Sequence, residues 1–312
     1  ALSLCAACIV TAQNYPVKPV RVVIPWPPGG ANDIAGRIVM QKVAEAMGQQ
    51  FPIDNRGGAG GTIGADLVAK AAPDGYTYFF ATSAALATNP FLMEKMTYDP
   101  VKDFKPVTMI ARSHQVLVAH PSMPVRSARD LVALAKSKPG QINYGSSGTG
   151  AITHLSMEFF KAKTKTDMVH IPYKGANISL TELVGGQVSV MFAALGSIQS
   201  MLGSQRVRAI GIAARERSPL LPGVPAISES GITDFEVVNW FGIDAPANTP
   251  RPVVERLNQS INRVVQSADS RERFSTMGFI PRGTTPEEFE QHVKSEIVRW
   301  GSVIKSADIK AE

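Results

Sequence analysis

One stretch near the start of the chain constrains the possible fold more than any other. Residues 20–24 form a short run of mostly β-branched side chains, which predicts a buried strand. A turn containing Gly29 and Gly30 follows, and apolar residues then recur at helical spacing, with Asn32 in the position of an N-cap. A glycine turn between a strand and a helix leaves backbone N–H groups uncovered at the positive end of the helix dipole. The stretch therefore favours anion binding without a charged side chain.

Strands and helices continue to alternate along the rest of the chain, and this alternation predicts the fold class. It is typical of an α/β protein with a mainly parallel sheet and helices on both faces. Because a chain of 312 residues is longer than a single domain usually is, two domains are expected. After the first strand, further strands are predicted at residues 51–55, 76–82, 104–111, 116–119, 143–145 (the end of a strand), 168–172, 188–193, 209–213 and 235–245.

The composition excludes several classes of protein. Hydrophobic residues make up 44% and charged residues 19% of the chain, which is typical of a folded globular protein. The net charge of +6 is spread along the sequence without a run of basic residues, so nucleic-acid binding is not expected. No apolar run after the first dozen residues reaches the roughly 18 residues that a membrane span needs.

The first twelve residues differ from the rest. Residues 1–12 are apolar, small and uncharged, which is typical of the remnant of a secretory signal peptide with a cleavage site after Ala12. The alternatives are a buried N-terminal strand or a lipoprotein with Cys8 as the lipidated residue. Since Cys5 and Cys8 both lie here, we expect a mature chain without a disulfide, a thiol nucleophile or a cysteine metal site.

Five predicted turns between a strand and a helix are rich in Gly, Ser, Thr and Asn. In parallel sheets such turns gather at the carboxyl ends of the strands, where ligands bind. If the two domains face each other, the turns line one cleft, and a carboxylate there could accept bonds from backbone N–H groups and hydroxyls. The alternative is that they are merely tight turns. They cover residues 27–32, 83–89, 146–150, 174–177 and 193–197.

Catalytic and cofactor motifs are incomplete. The dinucleotide fingerprint, the phosphate-binding P-loop and the nucleophile elbow each lack a required residue, and no two histidines have metal-ligand spacing. No cofactor and no metal is therefore predicted. An enzyme remains as an alternative, a hydrolase with Ser147 as nucleophile and His154 as base. The simpler interpretation of His154 is a structural hydrogen-bonding residue.

A set of motifs, in order along nearly the whole chain from about Tyr15, resembles the Bug family. The members of this family are periplasmic solute-binding receptors of tripartite tricarboxylate transporters. The motifs that carry the resemblance are Pro25-Trp26-Pro27-Pro28-Gly29-Gly30 with Asp33, residues 55–61, Pro73-Asp74-Gly75-Tyr76, Gly148-Thr149-Gly150 with His154-Leu155, residues 170–175, and Gly223-Val224-Pro225.

The resemblance implies a two-domain periplasmic-binding-protein fold of type II-like architecture, with the ligand in the interdomain cleft. We expect residues 15–117 plus 238–312 to form domain 1 and residues 118–237 to form domain 2. The implied function is an exported, monomeric receptor that closes over a small carboxylate and delivers it to integral-membrane transporter subunits. A receptor-like subunit that senses a ligand for a signalling partner is a further alternative.

The resemblance also implies which residues contact the ligand, through main-chain amides, hydroxyls and ordered waters. One position departs from the family pattern, because Asp is frequent there and this chain has Ala193. We hypothesise that this leaves a roomier, less acidic pocket for a dicarboxylate, aliphatic or aromatic such as a phthalate-type acid, near Trp26 or Phe192. The alternative is that Ala193 is simply a small strand-end residue. The predicted contacts are Trp26, Pro28, Gly29, Gly30, Ala31, Asp33 and Ser83 in domain 1, and Ser146, Ser147, Thr149, Gly150, His154, Ala176, Asn177 and Ala193 in domain 2.

Overall fold

The computed structural model describes residues 15–29, 31–306 and 309. The predicted signal-peptide remnant, with Cys5 and Cys8, and the predicted contact Gly30 lie outside the described residues.

The strands occur close to where the alternation places them. They are β1 (Arg21–Ile24), β2 (Ile53–Asn55), β3 (Thr77–Thr82), β4 (Phe104–Ala119), β5 (Asn143–Ser146), β6 (Val169–Pro172), β7 (Val190–Ala194), β8 (Arg208–Ile212), β9 (Val238–Pro246) and β10 (Ile280–Pro281).

Helices follow most of the strands. They are α1 (Ala31–Met47), α2 (Thr62–Ala69), α3 (Asn89–Leu92), α4 (Ala128–Ser137), α5 (Ile152–Thr164), α6 (Ala176–Val184), α7 (Leu195–Gly203), α8 (Arg251–Gln266), α9 (Ala268–Thr276) and α10 (Pro286–Ser306). None of the helices in the described residues combines the length and the hydropathy that a membrane span requires.

The sheet has two parallel parts joined by long antiparallel strands. In the first half β1 lies between β2 and β3 and is parallel to both. In the second half β5 lies between β6 and β7 and is parallel to both. Between them β9 pairs antiparallel with β3 and β4, and β4 pairs antiparallel with β7 and β8. The predicted two-domain α/β fold is confirmed, while the exact domain boundaries stay a prediction.

Two local predictions were wrong. Residues 104–111 and 116–119 are not separate strands but one continuous strand, β4, which runs through both halves. The polar residues 112–115 interrupt the apolar pattern because the strand changes neighbours there, from β9 to β7 and β8. The first helix begins at Ala31, so Asn32 lies in its first turn and is not the N-cap.

The two halves approach each other closely enough to require glycine. A Cβ on Gly196, at the start of α7, would lie 1.8 Å from the carbonyl oxygen of Met277, after α9. A Cβ on Gly278 would lie 2.3 Å from the Gly196 nitrogen. Backbone therefore packs directly on backbone between the second half and the first.

A buried carboxyl lies in the strand that joins the halves. Asp244 on β9 is 1% exposed, and neither of its oxygens has a hydrogen-bond partner among the described residues. It faces Phe79 of β3 and Pro106 of β4, and Pro106 has no N–H to donate. Burial raises the pKa of Asp244 to about 8, since the charged form would lose its hydration without compensation. The group is therefore largely protonated at neutral pH.

Protonation of Asp244 predicts a pH dependence of stability. Between about pH 4 and pH 8 the folded chain holds this proton and the unfolded chain does not, so the free energy of unfolding falls as the pH rises. We expect Asp244→Asn to remove this slope and to be more stable than the natural chain at pH 8, as measured by urea unfolding at pH 5 and pH 8. The exposed Asp167→Asn serves as the control. A slope that persists unchanged in Asp244→Asn would contradict the assignment.

Candidate functional site

The loop after β1 is held in place by a buried aspartate. The Asp33 carboxylate is 3% exposed and accepts bonds from Gly29 N–H at 2.9 Å, from Arg37 Nε at 2.9 Å and from Asn55 Nδ2 at 2.9 Å. Asn55 Nδ2 also donates to the carbonyl oxygen of Trp26 at 2.9 Å. Burial alone would raise the pKa of Asp33, but the bonds from Arg37, Gly29 and Asn55 outweigh it and hold the pKa below its usual value. Asp33 is thus an ionised residue that shapes the loop, with its oxygens already engaged.

The other predicted residues of this loop are accessible in different degrees. Pro28 and Gly29 are exposed, and the backbone of Ala31 begins α1. Trp26 is half-buried, and its Nε1 is a buried atom with no partner among the described residues. Its indole N–H is therefore a donor that the surrounding chain does not use.

The turn after β3 points its hydroxyl towards the joining strand. Ser83 is 1% exposed, and its Oγ donates to Asn239 Oδ1 on β9 at 2.7 Å. Asn239 was not among the predicted site residues, because the bond joins positions far apart in sequence. Ser83 thus fixes the end of β3 to the strand that links the two halves.

The loop after β5 carries most of the predicted contacts of the second half. Ser147 donates through its backbone N–H to Thr153 Oγ1 at 2.9 Å, and the two hydroxyls lie 2.9 Å apart. The Gly150 N–H donates to His154 Nδ1 at 3.1 Å. The predicted hydrolase pair is not assembled, because Ser147 is bonded to Thr153 and His154 to the backbone.

Two stacked imidazole rings are hydrogen-bonded to the end of β5 and to the loop that follows it. The rings of His154 and His170 lie 4.0 Å apart, and His170 stacks on Tyr144 at 4.9 Å. Burial lowers the pKa of His154 and outweighs the opposing effect of Glu158, so this ring accepts the Gly150 N–H as a neutral imidazole. His170 Nε2 lies 2.6 Å from the Oγ of the buried Ser146.

Ser146 transmits the position of His170 to the glycine turn. Its Oγ accepts the Gly148 N–H at 3.1 Å. In the sequence His170 belongs to the motif at residues 170–175 but not to the predicted contacts, because β6 and β5 are adjacent only in the folded sheet. The signal available was a polar ring in the middle of the predicted strand at residues 168–172, which leads into a predicted site turn.

The remaining predicted contacts of the second half differ in exposure. Ala176 and Asn177 are exposed in the first turn of α6, while Thr149 and Gly150 are half-buried. Ala193 is 2% exposed and belongs to an apolar cluster with Val116 and Leu180. This burial favours the interpretation of Ala193 as a small packing residue at the end of β7.

Contacts between the loops bring the predicted regions together. In the first half, a Cβ on Gly61 would lie 3.3 Å from Pro25, and Asn89 Nδ2 donates to the Gly60 carbonyl oxygen at 2.9 Å. Between the halves, a Cβ on Gly150 would lie 3.1 Å from Leu92 of α3. The loops after β1 and β3 and the loop after β5 therefore belong to one interdomain region.

Three helices that start in this region lack a side-chain cap. The N-caps of α5, α6 and α7 are Ala151, Gly175 and Ala194, and none makes a side-chain cap bond. The N-caps of α2, α3 and α8 also make no such bond, whereas Ser127 caps α4 and Ser267 caps α9. Because β6, β5 and β7 are neighbours in that order, the three uncapped N-termini lie side by side. Uncapped helix N-termini present unpaired N–H groups and a positive dipole end to an anion.

No metal site is found among the described residues, and one groove of the structure lies away from the predicted contact residues. Within the described ranges no three His, Cys, Asp or Glu side chains are grouped as metal ligands. A groove of about 460 Å³ lies between residues 219–220 of the second half and residues 265–283 of the first, and none of the predicted site residues lines it.

The support of the glycine turn by His170 can be tested without a ligand. We expect His170→Phe, which keeps an aromatic ring but loses the bond to Ser146, to speed hydrogen exchange of the Gly148 amide. An increase of roughly fivefold is expected, since one such bond contributes about 1 kcal/mol. The measurement is amide exchange followed by NMR.

A double-mutant cycle separates this role from general destabilisation. In the background of Ser146→Ala, the change His170→Phe should add nothing further at Gly148. His120→Phe, on a different loop, serves as the control and should leave the turn unchanged. An equal increase from His170→Phe in both backgrounds would show that His170 does not act through Ser146.

Comparison with protein families gives a match over most of the chain. The model for the tripartite tricarboxylate transporter family receptor matches residues 35–309. The chain is also 33% identical over 305 residues to Protein BugT of Bordetella pertussis, which covers 97% of this chain and 94% of that protein.

Solved structures show the same fold. The structure of R. palustris Rpa4515 with adipate is 35% identical with a TM-score of 0.87, over 96% of this chain and 100% of that one. The structure of MatC from Rhodopseudomonas palustris with bound malate is 33% identical with a TM-score of 0.82, over 93% of this chain and 100% of that one.

Proposed function

The chain belongs to the tripartite tricarboxylate transporter receptor family, and from that premise we propose that it is a periplasmic receptor for a small dicarboxylate. The predicted resemblance to the Bug family is confirmed. The family and its solved relatives are solute-binding receptors, so the hydrolase alternative is set aside. The proposed receptor is a monomer that binds its ligand between the two domains and passes it to integral-membrane transporter subunits.

The observation that carries the proposal is the row of uncapped helix N-termini after β5, β6 and β7. A carboxylate in front of them would accept backbone N–H bonds, which are charge-assisted and contribute about 1.5–3 kcal/mol each. Ser147 and Thr149, on the loop after β5, would add hydroxyls as further donors.

A second wall supports a ligand with two acidic ends. We infer that the loop after β1 faces the helix N-termini, and the Trp26 N–H of this loop has no partner among the described residues. The two structural relatives are described with adipate and with malate, and both molecules carry two carboxylates. We infer that one carboxylate lies against the second half and that the other lies towards Trp26 and the N-terminus of α1.

Closure in the proposed receptor is a hinge motion about β4 and β9, near residues 115–120 and 234–245. These segments join the two halves, and a ligand held by both halves would favour the closed arrangement.

A thermal-shift screen with isothermal titration calorimetry tests the proposal. We expect adipate or malate to raise the unfolding midpoint, because a ligand at a hundredfold excess over its Kd adds about 2.7 kcal/mol, roughly 4 °C for a chain of this size. Hexanoate, which has the carbon chain of adipate but one carboxylate, is the matched control and should shift the midpoint far less.

Two outcomes would contradict parts of the proposal. Shifts only with amino acids that carry a single carboxylate, such as alanine or leucine, would keep a carboxylate receptor but overturn the dicarboxylate assignment. No shift with any carboxylate in a panel that includes phthalate would overturn the proposed ligand class altogether.

A further inference from the structure

A cluster of basic side chains lies where β4 passes beneath α10. This cluster, which we name the β4–α10 junction, consists of Arg112 and His114 on β4, Arg282 just after β10 and His292 on α10. Arg112 Nε, His114 Nδ1 and His292 Nε2 are buried atoms with no hydrogen-bond partner among the described residues. Buried polar atoms in proteins are nearly always paired, so three unpaired nitrogens in one place require an explanation.

Neither arginine of the junction has an acidic partner in the described part of the chain. The acids of this region form their direct ion pairs elsewhere, Glu236 with Arg215 at 3.0 Å and Glu296 with Arg299 at 2.7 Å. Glu236 acts on Arg112 and His114 only through its charge, without a direct bond to either, and this interaction favours their charged forms. A half-buried guanidinium without a carboxylate is costly, because it loses water without gaining a counter-charge. Burial and the neighbouring arginine outweigh Glu236 at both groups, so the junction keeps an excess of positive charge.

Burial and the nearby arginines together lower the pKa values of both histidines of the junction. Burial, and then repulsion from Arg112, Arg299 and Arg282, lowers the pKa of His292 to about 4. Burial and Arg112 also lower the pKa of His114. Both rings are neutral at neutral pH, and each can therefore turn one N–H towards an acceptor.

The junction is separate from the proposed dicarboxylate site. Arg112 pairs with Trp240 across the ladder, and the ring of Trp240 contacts His292 at 5.4 Å. Asn239, which holds Ser83, is the next residue along β9 and projects to the opposite face. The two groups of residues are thus divided by the sheet that joins the halves.

We propose that the β4–α10 junction binds a small monovalent anion, held by Arg112 and Arg282 with His114 and His292 as further donors. The anion would screen the repulsion between the two guanidinium groups and stabilise the strand that both halves share. Arg282 is exposed while Arg112 and His292 are half-buried, so an anion can reach the junction from solvent.

Bromide is the probe for the structural test, because its anomalous scattering identifies it. In crystals of the full chain soaked in sodium bromide, we expect an anomalous peak within hydrogen-bonding distance of the Arg112 guanidinium. The peak should be absent from Arg112→Met and kept in Arg129→Met, which removes an exposed arginine on α4. A water at this position in the natural chain, without anomalous signal, would overturn the proposal.

Stability in solution decides whether a bound anion matters. At equal ionic strength, bromide should raise the unfolding midpoint by roughly 2 °C over the bulky MES anion at about ten times its Kd. The rise should disappear in Arg112→Met and in the exposed variant Arg282→Met, but remain in Arg129→Met. A peak in the crystal without this difference would mean an adventitious ion only, and equal rises in all variants would mean general salt effects. Both results overturn the proposal, and neither depends on the dicarboxylate.

Discussion

The antiparallel pairing of β4 with β9 is the contact on which the rest of the structure depends. The two strands pair from Phe104 to His114 of β4, and β4 then continues into the second half, where it pairs with β7 and β8. Without this strand the parallel sheets around β1 and β5 would be separate bodies. Because both are joined to it, the loop after β5 is brought against the first half, where a Cβ on Gly150 would lie 3.1 Å from Leu92 of α3.

Two buried aspartates differ in charge state, one ionised and one neutral, and the hydrogen bonds to each carboxyl determine which state it has. Asp33 and Asp244 are both almost fully buried. Asp33 stays ionised because Arg37, Asn55 and a backbone N–H bond its oxygens, and this fixes the loop after β1. Asp244 has no such donors, so burial raises its pKa and the joining strand carries a neutral acid. The ionised Asp33 thus orders the loop after β1, while the neutral Asp244 leaves β9 without a buried negative charge at this position.

Local patterns were sufficient to predict the elements and the loops of the site, but not the contacts between them. β1, its glycine turn and α1 follow from residue types at fixed spacing, and so do the helices after β5 and β6. The continuity of β4 could not be predicted, because polar residues such as Arg112 and His114 imitate a turn when their neighbours are unknown. The stack of His170 on His154, the bond from Ser83 to Asn239 and the burial of Ala193 each depend on residues from different strands. Only the folded sheet brings these residues together.

The donors of the proposed dicarboxylate site are helix N-termini and hydroxyls, and these donors would make ligand binding depend on closure. None of the predicted contact residues is an arginine or a lysine, and Arg37, which lies beside the first loop, is engaged by Asp33. Helix N-termini and hydroxyls act over short distances and depend on direction, and the effect of a helix dipole fades within one turn. A guanidinium would attract an anion over about 8 Å at physiological salt, whether the halves were open or closed. The proposed site, with dipoles from both halves, would therefore hold a carboxylate strongly only when the halves meet, and ligand binding would coincide with closure.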